Sequence, residues 1–221
     1  MGEADRPPAP PLNLIGDYGG GAMMLVTGVL AALLEARTTG RGRVVDAAMT
    51  DGAALLAGLF QALRGQGMWS DRRGANLLDG GAPFYRCYTC RDGGFVAVAA
   101  LEPRFYAALL AGLEIRPEAA PQHDMGGWPA LHARFADLFA RRDRDYWAAR
   151  FAGTEACVTP VLSLAEAPDH PHNRARGVFD QGLPGPAPRF GAASNAPRHS
   201  SALPLHEAVA RWSAARPGRA G

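Results

Sequence analysis

The chain of 221 residues contains no lysine; all 23 of its strongly basic side chains are arginine. Against 21 acidic residues they leave a formal net charge of +2, too little to build the field of a nucleic-acid surface. The arginines stand mostly beside Asp or Glu, as in Arg141-Arg142-Asp143-Arg144-Asp145, which is the pattern of a solvated helix face. Cysteine is scarce and its count of 3 is odd. With no recognisable leader or targeting signal, that count argues for a reducing cytoplasm and against a disulfide scaffold. Long apolar runs are also wanting. The longest, residues 22–34, is flanked by glycine and shorter than a bilayer crossing requires, so no membrane association is expected.

Several site chemistries are missing as well. Cys87-Tyr-Thr-Cys90 has the spacing of a zinc or redox pair but no second pair of ligands at a plausible distance. It lies in an expected strand, where positions three apart face opposite sides. His170-Pro-His172 sits in a Pro-rich segment with only Asp169 nearby, and the remaining histidines are scattered. Neither a Ser–His–Asp arrangement nor a P-loop is present, and Gly19-Gly20-Gly21 lacks the lysine of one.

What the chain does have is Asn13-Leu-Ile-Gly16-Asp17-Tyr-Gly19-Gly20-Gly21, one carboxylate just ahead of three glycines and an apolar run. Glycine allows a ligand to approach the backbone, and a helix beginning there would present unpaired N–H groups. Asp17 can be read as an N-cap or as a base or nucleophile held at that helix end. The two readings are compatible. Glu102 is the second candidate. It ends an apolar strand and precedes Pro103, a good first helical residue, so it is either a site group or an exposed capping residue.

The periodicity predicts a helix over 19–37, a short strand over 43–49 and a second helix over 51–64, the tail of an α/β layer without the strands that should precede it. A long loop covers 65–81. Strands are expected over 84–89 and 95–100, joined by the hairpin signal Arg91-Asp-Gly-Gly94, with a third over 157–162. Helices are expected from Pro103 to about 113, over 128–141 and over 143–151. Residues 177–197 read as a Gly/Pro-rich arm and 203–214 as a terminal helix.

Residues 11–21, with Thr39-Gly-Arg-Gly-Arg-Val-Val-Asp-Ala-Ala-Met49, Arg73-Gly-Ala-Asn-Leu-Leu-Asp-Gly-Gly-Ala-Pro-Phe-Tyr85, Ala99-Ala-Leu-Glu102-Pro-Arg-Phe-Tyr106 and Glu155-Ala-Cys-Val-Thr-Pro-Val-Leu162, resemble the α-methylacyl-CoA racemases of the family III (formyl-CoA-transferase-like) CoA-transferase superfamily. The resemblance implies an α/β fold: a Rossmann-like CoA-binding large domain and a small α+β domain, joined by long linkers. Residues 1–50 would be the remnant of the large domain, 51–80 a linker helix and loop, 81–165 the small domain, and 166–221 a return linker with a C-terminal helix. It implies an acyl-CoA substrate, with coenzyme A part of the substrate and no separate cofactor, and a homodimer of interlocked chains active in fatty acid metabolism. Asp17 matches the Asp base of the racemases and Glu102 the Glu that orients an opposing His base. Asn13, Gly16, Gly19 and Gly20 fall in the substrate-binding motif. In the family that His and most CoA contacts lie N-terminal to the Asp motif. Here sixteen residues precede Asp17 and none is His, so the chain is expected to be a C-terminal portion that either lacks, or pairs with, an N-terminal half. A transferase with Asp17 as nucleophile, and a non-catalytic remnant or partner subunit, are the alternatives.

Overall fold

The computed structural model describes residues 2, 5–180, 182–189, 206–207 and 209–210. The chain divides into two units, Met1–Val161 and Leu162–Gly221.

The first unit opens with one long helix, α1, Leu14–Thr39. Its first part, Leu14–Ala22, is π-helical, and Met23–Thr39 is α-helical. The expected start at Gly19 is therefore corrected: the Tyr18 N–H donates to the Asn13 carbonyl at 3.2 Å, so the helix already runs through the glycines. The reason lies thirty residues downstream. Gly20 packs against Gly52 of α2, Met49–Leu56, so closely that a Cβ on Gly52 would lie 1.9 Å from the Gly20 carbonyl oxygen. The glycines are helical because two backbones must meet there, a pressure stronger than the modest helical penalty of glycine. α1 ends at Gly40, whose φ of 70° supplies the left-handed cap while its N–H donates to the Ala36 carbonyl.

The length argument against a membrane crossing is also corrected. By extent and composition α1 is long and apolar enough to cross a bilayer. Of residues 43–49, expected as a strand, 43–48 form no strand and pair with no neighbour among the described residues, and Met49 opens α2. The single helix expected over 51–64 is two: α2 and α3, Gly58–Gly65, part at Ala57, whose ψ of 1° leaves the helical region.

A small α+β core follows. Strands β1, Tyr85–Thr89, β2, Phe95–Ala99, and β3, Val158–Pro160, form an antiparallel sheet in the order β1-β2-β3. Tyr85 lies opposite Ala99, Thr89 opposite Phe95, and Val96 opposite Pro160. Gly93, at φ 78°, makes the β1–β2 turn, which the Cys90 N–H closes onto the Gly94 carbonyl at 2.8 Å. Helices α4, Pro103–Gly112, α5, Trp128–Phe139, and α6, Arg144–Phe151, turn apolar faces inward. Phe84, Val96, Leu109, Leu110, Phe135 and Phe139 are fully buried. Tyr88 stacks on Phe139 with ring centroids 5.0 Å apart and donates its hydroxyl to the Pro83 carbonyl at 2.6 Å. Trp147 donates its indole N–H to the Phe139 carbonyl at 2.9 Å, so the large aromatic rings are buried without stranding their polar atoms. Cys87 is exposed and Cys90 buried, on opposite sides as their spacing requires.

The second unit contains α7, Pro171–Arg176, and a short antiparallel pair, β4, Phe179–Asp180, with β5, Leu183–Pro184, inside the stretch expected as a plain arm. Of the expected terminal helix over 203–214, residues 206–207 and 209–210 are helical and the others lie outside the described residues.

Candidate functional site

Asp17 stands in the first turn of the π-helical segment, not ahead of it. Asn13 is the N-cap residue by position, yet its side chain makes no capping hydrogen bond. The backbone reaches it through Leu12, a non-glycine residue at φ 54°, a conformation that costs energy and collects at functional sites. π-helical turns are likewise rare and frequent at functional sites. Asn13 and Asp17 are both exposed, four residues apart and thus close to one helical turn. The first turn of a helix has N–H groups without intrahelical acceptors. Those of Ile15, Gly16 and Asp17 are in that position here: Leu14 donates to the Pro11 carbonyl and Tyr18 to the Asn13 carbonyl, and the three between have no backbone acceptor among the described residues.

Glycines of the motif divide by environment. A Cβ on Gly16 would meet nothing within 4 Å, so this backbone is open to a ligand. On Gly19 it would approach Leu56 Cδ1 at 3.1 Å, and on Gly20 the Ala53 nitrogen at 2.8 Å. Gly19 and Gly20 thus face α2, and the absence of their side chains serves helix packing. The unpaired N–H groups expected where the helix begins are those of Ile15, Gly16 and Asp17, because the helix starts ahead of Gly19.

Glu102 is the N-cap residue of α4, with an extended backbone (φ −74°, ψ 145°), and its carbonyl accepts the Tyr106 N–H at 2.9 Å. Its side chain makes no capping bond and is exposed, which leaves the carboxylate free for another partner. Cys157, at φ 52°, lies close by, and its carbonyl accepts the Ala99 N–H at 3.0 Å. Burial pushes the Cys157 thiol up, and the Glu102 and Glu155 carboxylates push it further, with Arg104 opposing. Arg104 pairs with Glu155 at 3.8 Å and lies over the Phe105 ring at 4.5 Å. Asp17 stands in the first turn of α1 and Glu102 at the start of α4, with its carboxylate near Cys157.

Sequence reasoning missed a polar node in the loop between α3 and β1. Asn76 is buried there. Its amide oxygen accepts the Ser70 N–H at 2.7 Å, and its amide nitrogen donates to the Ser70 carbonyl at 3.0 Å and to Asp79 Oδ2 at 2.6 Å. Asp79 in turn accepts the N–H groups of Gly74, Asn76 and Gly81. This node holds the floor of an open cleft of about 380 Å³ walled by Phe60, Trp69, Arg73 and Leu78. Asx turns of this kind announce themselves only as Asn and Asp at close spacing, a signal indistinguishable from an ordinary loop.

Comparison with known proteins gives this geometry its context. The sequence profile of CoA-transferase family III matches residues 1–210. The chain is 45% identical over 192 residues to an α-methylacyl-CoA racemase of Mus musculus, covering 85% of this chain and 50% of the relative. It is 43% identical over 180 residues to the Homo sapiens α-methylacyl-CoA racemase, covering 81% and 47%. A CaiB/baiF CoA-transferase family protein of Caenorhabditis elegans is 33% identical over 175 residues, covering 78% and 49%. A crystal structure of a hypothetical protein from Mycobacterium tuberculosis shares the fold at a TM-score of 0.57 and 18% identity, over 78% of this chain and 46% of that one. The chain therefore spans about half the length of the curated relatives it matches. On the profile match and these identities, the chain belongs to CoA-transferase family III.

Proposed function

We propose that this chain is the C-terminal portion of an α-methylacyl-CoA racemase, acting on 2-methyl-branched acyl-CoA thioesters, and that Asp17 is one of two bases exchanging the proton on the carbon beside the thioester. The observation that carries the reading is the exposed Asp17 carboxylate on a π-helical first turn, within a chain 43–45% identical to two racemases.

Removing an α-proton from a thioester places negative charge on the thioester oxygen, and that charge needs preorganised donors. The N–H groups of Ile15, Gly16 and Asp17 are the candidates, with open Gly16 letting the thioester close on the backbone and Asn13 flanking it. Asp17 takes the proton from one face of the planar enolate, and a second base returns a proton to the other. Glu102 is a positioning residue in this scheme: its free carboxylate holds that second base, a histidine contributed by polypeptide beyond these 221 residues. The exposure of Asp17 in this chain supports the same division, because proton abstraction of this kind needs water excluded from around the base. The site is completed by further protein, in a homodimer or with an N-terminal half. By itself the chain gives little or no exchange.

A second reading rests on the family profile and the C. elegans relative. In a transferase the Asp17 carboxylate attacks the thioester carbonyl, expelling the coenzyme A thiolate and leaving an acyl anhydride on Asp17. The two are separated by fusing this chain to the half of the mouse relative that it does not match and supplying a 2-methylacyl-CoA in D₂O. Deuterium at C2 with no acyl mass added to Asp17 supports the racemase. An acyl adduct on Asp17 without C2 exchange refutes it in favour of the transferase.

A further inference from the structure

The run Arg141-Arg142-Asp143-Arg144-Asp145 does not form one evenly neutralised face. Asp143 is taken by Arg91 at 2.7 Å and Asp145 by Arg144 at 3.1 Å. Arg141 and Arg142 are left without a carboxylate partner among the described residues. They border a cleft of about 190 Å³ where the ends of α4 and α5 meet α6, and Arg150 lines the same cleft. The Arg142 guanidinium lies over the Tyr146 ring at 5.2 Å, which orders it without neutralising it. The one acid among the lining residues is Glu114. It meets Arg150 at 3.7 Å with its side chain 85% exposed, a pair that contributes little and is easily displaced. Glu114 holds a φ of 58°, a left-handed conformation that is costly away from glycine and collects at functional sites. The other two such residues among those described, Leu12 and Cys157, belong to the surroundings of Asp17 and Glu102.

We propose that this cleft binds a phosphate group, held by Arg141, Arg142 and Arg150. Three guanidiniums against one carboxylate leave a surplus positive charge that a phosphate monoester, at about −1.5 to −2 near pH 7, matches and a single carboxylate does not. The planar guanidinium fork also fits phosphate oxygens with paired hydrogen bonds. The cleft is smaller than the pockets of about 300–1,000 Å³ that take drug-sized ligands, so it admits a small anion or the phosphorylated end of a larger molecule. A helix C-terminus attracts arginine with no ligand present. That accounts for each arginine singly. It accounts neither for their convergence from two helix ends onto one cleft nor for the strained turn that carries Glu114. The cleft stands at the far end of α4 from Glu102, about 15 Å along the helix. The proposal is independent of the racemase reading.

The test titrates the full chain with inorganic phosphate and, separately, with AMP at constant ionic strength, read by calorimetry and by the arginine Nε–H signals in NMR. Saturable one-to-one binding is expected, with the signals of Arg141, Arg142 and Arg150 shifting together. Arg141→Gln and Arg142→Gln are each expected to weaken binding by about tenfold or more, since each removes charge-assisted hydrogen bonds. Glu114→Gln, which removes the competing carboxylate, is expected to tighten it. Arg37→Gln makes the same charge change on α1 and is expected to leave it unaltered. All four positions are exposed, so the variants should keep the circular dichroism of the parent chain. AMP binding more tightly than phosphate upholds the site with a phosphoester as its occupant, and AMP binding no more tightly upholds it with the free anion. Binding that does not saturate, no loss in Arg141→Gln and Arg142→Gln, an equal loss in Arg37→Gln, or the same NMR shifts with sodium chloride in place of phosphate each overturns the proposal.

Discussion

Replacing Gly52 by alanine puts a methyl group where the structure has backbone. A Cβ there would lie 1.9 Å from the Gly20 oxygen, 2.5 Å from its carbonyl carbon and 2.6 Å from its Cα. No side chain can swing aside, so α1 and α2 must part by roughly 1–2 Å to reach van der Waals distance. Overpacking of this kind costs about 1–3 kcal/mol. For a domain of this size that is a fall in Tm of roughly 2–12 °C. Gly16→Ala is the matched control. Its Cβ meets nothing within 4 Å, and alanine is the better helix former by about 0.5–1 kcal/mol, so this variant gains slightly. Thermal unfolding followed at 222 nm, with limited proteolysis between residues 40 and 65, reads both. Gly52→Ala as stable as Gly16→Ala would refute the close crossing, and with it the account of why the glycine motif is helical.

Phe135 is fully buried among the α5 and β1 aromatics, so Phe135→Ala should cost about 3–5 kcal/mol, read as a lower urea midpoint. Arg91 grips Asp143 with two hydrogen bonds, of 2.8 and 2.7 Å, and its guanidinium holds the Asp143 carboxyl below the usual carboxylate range. A lowered folded value means stability that is complete above the ordinary carboxylate range and lost as pH falls through the depressed value. Asp143→Asn should therefore remove a component of acid destabilisation, seen as a flatter acid limb in urea midpoints against pH. Burial pushes the Cys90 thiol up to about 11, and Cys87 is exposed, so iodoacetamide at pH 8 should modify Cys87 well before Cys90 in the native protein. Equal labelling of the two would contradict the β1 orientation.

The small core was legible because its signals are local. The Arg91–Gly94 turn, the Pro103 helix start and the spacing of Trp128, Leu131, Phe135 and Phe139 each act within a few residues, and the sheet and helices lie where those signals put them. The first fifty residues were not, because their determinants are distant. Gly19 read as the helix start, and the five helical residues ahead of it are not legible until Gly52 is known to press on Gly20. The expected strand over 43–49 has the composition of a strand but no neighbour to pair with among the described residues. Asp17 and Glu102 were legible as carboxylates at element starts. That Glu102 makes no capping bond was not, since sequence cannot tell a capping carboxylate from an uncapped one.

The central claim is that Asp17 removes a proton from one face of the substrate. In the fusion with the unmatched half of the mouse relative, C2 deuterium exchange should be followed separately from the two enantiomers of a 2-methylacyl-CoA. Asp17→Asn is expected to abolish exchange from one enantiomer, to leave exchange from the other through the opposing base, and to eliminate their interconversion. Undiminished exchange from both enantiomers in the Asp17→Asn protein would contradict the account.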